Sequence, residues 1–240
     1  MSADDYLRLA VQATSPSASG AFARQGLQQH RDHEPVDAEG EVLLLREVFR
    51  SHLAARRRRS AHAVARKMVR LAALPELTHA DLGRACAALG RWTDAAQAYR
   101  LAARFAPARR RGLHWGASAS AFAHAGQTEE ALAALDRAIR WSTTARPLHR
   151  AHAAVLRVDR GENPDDLPAV VSDLELAPCG EGYGRYILGL LYLGLGERAR
   201  ARKYLREFLR RNLGDPLKEA TLAGELQRAR KSLRSALVAG

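Results

Sequence analysis

Residues 76–109 read ELTHADLGRACAALGRWTDAAQAYRLAARFAPAR, and this stretch decides the fold. Apolar residues recur on both sides of Gly90 at the three- and four-residue spacing of an amphipathic helix. Gly90 interrupts the pattern as a turn residue, and Pro107 ends the second helical segment. The stretch therefore predicts two helices that pack against each other across a glycine turn.

Two further stretches, residues 112–145 and 182–215, align with the first. The aligned positions are the turn glycines Gly90, Gly126 and Gly196, the small residues Ala95, Ala131 and Ala201, and the large residues Tyr99, Leu135 and Leu205. Small residues let paired helices approach closely, and large residues fill the space between neighbouring pairs. Because Gly90 and Gly126 lie 36 residues apart, the pattern indicates a helical repeat protein.

The three stretches share more than their turns. Their further matching residues are Leu82-Gly83 and Pro107 in the first, Trp115 and Phe122 in the second, and Leu188-Gly189 and Tyr192 in the third. In these residues the chain resembles the tetratricopeptide repeat family, whose unit has about 34 residues. The resemblance implies an all-α fold, an α-solenoid of helix-turn-helix repeats with a C-terminal capping helix.

The helical pattern extends the repeats in both directions. We expect about five repeats, at residues 42–75, 76–109, 112–145, 147–181 and 182–215. The first and fourth are degenerate, with an arginine run at residues 56–59 and an enlarged turn at residues 161–166 in place of a single turn glycine. Residues 1–41 are predicted to be an acidic helical leader that ends in a linker at residues 31–40. Residues 216–240 are predicted to form the capping helix.

The net charge of +12 is unevenly distributed along the chain. Residues 1–41 sum to −4, residues 42–75 to +8, residues 76–197 to zero, and residues 198–240 to +8. Clustered charge of this kind selects acidic partners, phosphates or nucleic acid, although it also serves as a solvated surface. We expect the arginine run to be a docking turn for an acidic partner, partly masked by the acidic leader.

Catalytic and metal-binding motifs are absent from the sequence. His149 and His152 are three residues apart, as are His30 and His33, but neither pair has the third ligand that a zinc site needs. The glycine-rich stretch around Cys179 lacks the Gly-Lys-Ser/Thr ending of a phosphate-binding loop, and no Gly-x-Ser-x-Gly motif occurs. We therefore expect a protein that is not an enzyme, without cofactor or metal, in which Cys86 is a core thiol.

The resemblance also implies where a partner binds. In tetratricopeptide proteins the first helix of each repeat lines the concave face. We carry those positions over to this chain and add the arginine turn. The predicted partner-binding residues are then Arg46, Arg50, Arg57, Arg58, Arg84, Tyr183, Tyr186 and Leu190. This groove would be cationic at one end and aromatic and apolar at the other, although the tyrosines equally suit packing against the preceding repeat.

These features favour a scaffold or adaptor that binds an acidic and apolar segment of another protein. Two alternatives stay open: a basic helical-repeat module that binds nucleic acid backbone, and a structural subunit of a larger assembly. Aromatic residues are not interleaved with the arginines as stacking platforms for bases, which disfavours the nucleic acid alternative. The acidic N-terminus and the lack of a long apolar run predict a cytoplasmic protein without a membrane span.

Overall fold

The computed structural model describes residues 1–32, 37–164, 166–178 and 182–238. Over these residues the protein consists of fourteen α-helices and contains no β-strand. The helices fall into two compact units, residues 1–105 with 215–221 and residues 106–214 with 222–240. We call them unit 1 and unit 2.

Unit 1 contains seven of the helices. They are α1 (Ala3–Gln12), α2 (Pro16–Asp32), α3 (Ala38–Ala54), α4 (Arg58–Arg70), α5 (Pro75–Ala88), α6 (Trp92–Phe105) and α13 (Pro216–Thr221). From α1 to α6 each helix packs against the next one in the chain. The short α13 comes from the C-terminal part of the chain and packs on α3 and α5.

Unit 2 contains the other seven. They are α7 (Ala108–His124), α8 (Thr128–Trp141), α9 (Arg146–Asp159), α10 (Leu167–Leu176), α11 (Tyr183–Gly194), α12 (Arg198–Asn212) and α14 (Ala223–Val238). From α7 to α12 each helix again packs against the next, and α9 also packs against α11. The predicted all-α repeat fold is thus confirmed. As expected of a capping helix, α14 packs on the last pair, α11 and α12.

The predicted turn glycines adopt the backbone conformation that makes glycine necessary. Gly90, Gly126 and Gly196 have φ of 72°, 75° and 75°, in the left-handed region that costs other residues free energy. In the degenerate first repeat, Arg56 takes the equivalent position between α3 and α4, with φ of 57°. The turn covers residues 55–57, so Arg58 and Arg59 lie in the first turn of α4 and not in the turn as predicted.

The small residues of the pattern lie where helices cross closely. Ala95, Ala131 and Ala201 are completely buried. A Cβ atom on Gly83 would come within 2.8 Å of the Tyr99 ring, and one on Gly189 within 2.6 Å of Leu205. In these two repeats the large residue of the second helix therefore packs directly on the glycine of the first helix, as in ridge-into-groove packing.

The N-terminal region is more closely integrated into unit 1 than predicted. Ala10 of α1 and Ala23 of α2 share a buried cluster with Leu44 and Val48 of α3. The predicted linker at residues 31–40 is largely helical where the structure describes it, since α2 ends at Asp32 and α3 begins at Ala38. The helices α1 and α2 therefore extend the stack of helix pairs.

The acidic leader does not mask the arginine run among the residues that the structure describes. Glu41 accepts a hydrogen bond from Lys67 at 2.5 Å, and Asp37 accepts one from the backbone nitrogen of Gly40 at 2.7 Å as the N-cap of α3. Asp5, the third residue of α1, accepts a hydrogen bond from the backbone nitrogen of the N-cap residue Ser2 at 2.9 Å. These carboxylates stabilise local structure, whereas Glu34 and the side chain of Asp32 lie outside the described residues, so masking by the leader stays a prediction.

Candidate protein-binding surfaces

The first helices of the repeats carry most of the predicted binding residues. In unit 1 these helices are α3 and α5, and in unit 2 they are α7, α9 and α11. We call the surface that they form in each unit its first-helix face.

In unit 1 the first-helix face is bound together by a buried carboxylate. Asp81 of α5 has a side chain that is 2% exposed, and it accepts a hydrogen bond from Arg46 Nε of α3 at 2.8 Å. Arg84, one turn further along α5, binds the other oxygen of the same carboxylate. The predicted binding residues Arg46 and Arg84 thus neutralise Asp81 inside the unit, as a buried carboxylate requires.

Arg50 has a weaker internal partner. It lies 3.2 Å from Glu47 one turn away on α3, and its side chain is half exposed. Glu47 is buried and also accepts a hydrogen bond from Ser19 of α2 at 2.8 Å. Because half of the Arg50 side chain is exposed to solvent, Arg50 stays accessible to a partner.

The arginine run divides into one paired and three unpaired side chains. Arg56 Nη2 lies 2.7 Å from Glu219 of α13. Arg57, Arg58 and Arg59 are exposed, and none of them forms an ion pair within the described part of the chain. The predicted binding residues Arg57 and Arg58 are therefore cations open to solvent.

In unit 2 the predicted aromatic and apolar residues are covered. Tyr186 and Leu190 are 2% and 7% exposed and belong to the main hydrophobic cluster of the unit. Tyr183 donates a hydrogen bond to Ser120 Oγ of α7 at 3.3 Å and meets the Tyr186 ring edge-on at 5.5 Å. The structure brings the three predicted residues together on α11, but beneath other side chains and not on an open groove.

The additional helix α14 contributes to this covering layer. Leu226 and Ala229 of α14 are buried in the same cluster as Tyr186 and Leu190. Arg228 of α14 reaches both carboxylate oxygens of Asp159 on α9, at 2.6 and 2.8 Å, and hydrogen-bonds to the Tyr186 hydroxyl. The helix α14 is thus fitted to the first-helix face by polar contacts as well as apolar ones.

Glu225 of α14 makes the most specific of these contacts. It is 6% exposed, accepts a hydrogen bond from Ser120 Oγ at 2.5 Å, and lies 3.6 Å from His124 Nε2. Burial alone raises the pKa of this carboxyl, but the hydrogen bonds from His124 and Ser120 outweigh burial and hold the pKa below its usual value. Glu225 is therefore a buried anion held by two side chains of α7.

Two further polar side chains lie in the interior of unit 2. Burial lowers the pKa of His149 to about 4 and that of His152 to about 3. Both histidines are on α9, and His152 lies 6.0 Å from the Tyr183 ring. They are neutral at pH 7, so they do not contribute to the positive charge of the protein.

Sequence reasoning missed the residues that organise both faces, Asp81, Glu225 and Arg228. Glu225 stands directly before Leu226, and Asp81 before Leu82, so each is a charged residue at the edge of an apolar stripe. That position is the signal that could have identified them, because a charge there must be paired.

No three His, Cys, Asp or Glu side chains converge to hold a metal ion in the part of the chain that the structure describes. Cys86 is buried in unit 1, and burial raises the pKa of its thiol, which confirms it as a core residue. Cys179 lies outside the described residues. None of the described helices is long and apolar enough to cross a membrane.

A family model described as tetratricopeptide repeat matches residues 184–215. This segment holds α11 and α12 and coincides with the last predicted repeat, so the resemblance to the tetratricopeptide repeat family is confirmed. Repeats of this family generally mediate protein–protein interactions and are typically not catalytic. No curated protein matches the chain significantly.

Proposed function

We propose that the protein is a non-enzymatic scaffold or adaptor that binds an acidic and apolar segment of a partner protein. One observation carries the proposal: the first-helix face of unit 2 holds a helix, α14, through side chains of α7, α9 and α11. A surface that binds a helix through both apolar contacts and ion pairs has the features of helix-in-groove recognition.

The charge of unit 1 supports an acidic partner. Arg57, Arg58 and Arg59 are exposed without an ion pair in the described residues, and Arg50 is half exposed beside Glu47. Exposed cations of this kind accelerate association with an acidic surface more than they raise affinity. In this proposal the arginines steer the partner toward the protein. The cytoplasmic location of the protein itself stays a prediction.

Affinity capture on the full chain tests this function. We compare the wild type with the variant R57Q/R58Q/R59Q in native extract at physiological salt, with and without nuclease, and quantify the bound proteins. A matched control replaces three exposed arginines elsewhere, R66Q/R70Q/R104Q. We expect a protein to be retained in fixed proportion after nuclease treatment and to be lost selectively from the first variant. Recovery of no protein in fixed proportion would contradict the scaffold function.

A second candidate, binding to nucleic acid backbone, has one observation in its favour. Arg202, Arg206 and Arg210 follow each other at four-residue spacing on α12, and none of them is ion-paired within the described residues. Side chains at this spacing lie on one side of a helix and can contact successive phosphates. Bound material that disappears after nuclease treatment, with a strong dependence on salt, would favour this candidate over the first.

A further inference from the structure

The first-helix face of unit 2 makes contacts with α14 that are more selective than packing of a terminal helix requires. A helix that only covers an apolar end needs apolar side chains, because buried ion pairs contribute little net stability. Here α14 buries the carboxylate of Glu225 against Ser120 and His124 and pairs Arg228 with Asp159. Polar contacts of this kind fix register and orientation, which is how a binding site selects its ligand.

The shape of α14 is matched to the same face. Gly224 lies so close to His124 that a Cβ atom on it would come within 2.6 Å of the imidazole ring. Glu225 and Arg228 are three residues apart and therefore share one side of the helix, next to the buried Leu226 and Ala229. The opposite side carries the exposed residues Gln227, Arg230 and Lys231. The helix α14 therefore resembles an amphipathic helix bound to a partner, with one side in contact with the first-helix face and the opposite side exposed to solvent.

The position of α14 in the chain allows it to leave the face. The residue before it, Leu222, is a turn residue that separates it from α13. Its release breaks no other helix of unit 2 and uncovers Tyr186, Ser120 and His124 together. A helix that is joined to the preceding helix through a turn can open locally while the other helices of its unit stay folded.

We propose that α14 is an internal ligand of unit 2 and that a partner helix displaces it. This inference rests on the proposed function. The partner segment is an amphipathic helix that carries a carboxylate and, three residues later, an arginine, beside its apolar residues. It places the carboxylate between Ser120 and His124 and the arginine on Asp159, as Glu225 and Arg228 do. Until such a partner helix is present, α14 covers the first-helix face of unit 2.

A labelled synthetic peptide of residues 222–235 is the probe, and its binding to full-length protein is measured by fluorescence anisotropy. The wild type should bind it weakly, because the tethered α14 competes at high effective concentration. The variant Arg228→Gln loses the partly exposed Asp159 pair, so it should bind the peptide up to about fivefold more tightly. The matched control Arg230→Gln, the same chemical change on the exposed side, should bind like the wild type. Equal binding by the two variants would overturn the inference.

Hydrogen exchange of the wild-type protein gives a test that does not depend on any variant. Amides of α14 should exchange through an opening that leaves α11 and α12 protected. If α14 and α11 lose protection together, α14 is an integral part of the fold and the inference is wrong. A wild-type dimer in which two copies exchange α14, detected by light scattering, would also overturn it.

The natural partner separates failure of this inference from failure of the proposed function. Arg228→Gln should retain more of the captured partner than Arg230→Gln, and an excess of the 222–235 peptide should release it. If a partner is captured equally by both variants and is not released by the peptide, the scaffold function stands while the internal ligand does not.

Discussion

Asp81 of unit 1 and Glu225 of unit 2 are both carboxylates buried against first helices, but they have different origins. In unit 1 the carboxylate is Asp81, which belongs to a first helix and is neutralised by Arg46 of the neighbouring repeat. In unit 2 it is Glu225, which belongs to α14 and is held by Ser120 and His124. The comparison teaches that one kind of contact joins adjacent repeats in unit 1 and seats an additional helix in unit 2.

The largest expected effect is a loss of stability of unit 2 in acid. His149 and His152 have a pKa of about 4 and about 3 in the folded protein, against 6.5 without burial. Between pH 6.5 and 4 the unfolded chain binds more protons, so the free energy of unfolding falls as the pH falls. Each histidine can remove up to about 1.4 kcal/mol per pH unit, which gives roughly 4 kcal/mol by pH 4.5.

Urea unfolding at a series of pH values, followed by hydrogen exchange of α9, measures this loss. The charged and titratable groups near His152 are Glu225, His149, Arg228 and His124. The pKa of Glu225 is lowered in the folded protein, so Glu225 adds to the loss of stability only near the acid end of this range, where the unfolded chain begins to protonate it. The double variant H149Q/H152Q is the control and should show a much flatter pH dependence. A wild-type stability that stays constant from pH 6.5 to 4.5 would contradict the burial of these histidines.

The carboxylate of unit 1 should give the next largest effect. Asp81→Ala leaves Arg46 and Arg84 without their shared partner, and we expect a loss of about 3 kcal/mol in the free energy of unfolding. The value is at the lower end of the range for buried pairs because both arginines are partly exposed. Denaturant unfolding measures it, with Asp94→Ala as the control, since the Asp94–Arg91 pair is exposed and worth at most about 1 kcal/mol. Equal effects of the two substitutions would show that Asp81 does not join the repeats.

A larger side chain at a close helix crossing should destabilise both units to a similar extent. Ala95→Leu in unit 1 and Ala131→Leu in unit 2 each insert a large side chain at a fully buried position, so each should cost about 1–3 kcal/mol. Thermal unfolding measures the cost, and Ala133→Leu on the exposed side of α8 should leave the Tm nearly unchanged. An unchanged Tm in both buried variants would mean that the repeat register is wrong.

The smallest effect concerns the exposed pair that contacts α13. Arg56 combines a left-handed backbone with an ion pair to Glu219, and exposed pairs contribute about 0–1 kcal/mol. Arg56→Gln should therefore destabilise unit 1 only slightly. Arg56→Gly loses the same pair but relieves a backbone cost of about 1–2 kcal/mol, so it should be more stable than Arg56→Gln. A glycine variant that is less stable than the glutamine variant would show that the ion pair dominates.

The repeats were predictable from sequence because their determinants are local. The turn at Gly126 follows from a glycine between two amphipathic patterns, and the burial of Ala131 follows from its fixed place after that turn. Cys86 was placed in the core for the same reason. The helical residues at both ends of the predicted linker, 31–32 and 38–40, were missed, because polar residues at the end of α2 do not prevent a helix whose apolar side packs on α3. Residues 33–36 of the linker lie outside the described residues.

The candidate binding residues were predictable in identity but not in environment. Position within the repeat selected Arg46 and Tyr186 correctly as residues of the first helices. Their partners, Asp81 for Arg46 and Arg228 for Tyr186, lie on other helices, and no local pattern indicates which pairs will meet. Arg57 and Arg58 are exposed, as expected of cations without an internal partner.

The sequence by itself determined the helices, their turns and the close crossings, since each depends on residues within one repeat. Only the tertiary structure decided what covers the first-helix faces. Ser120 and Glu225 are 105 residues apart in sequence, and their hydrogen bond depends on where α14 comes to lie. The amphipathic pattern of α14 indicates that one side of the helix is buried, but any apolar surface could cover that side. The charged contacts of Glu225 and Arg228 select one such surface, because Ser120 and His124 of α7 and Asp159 of α9 lie together only in the packed structure.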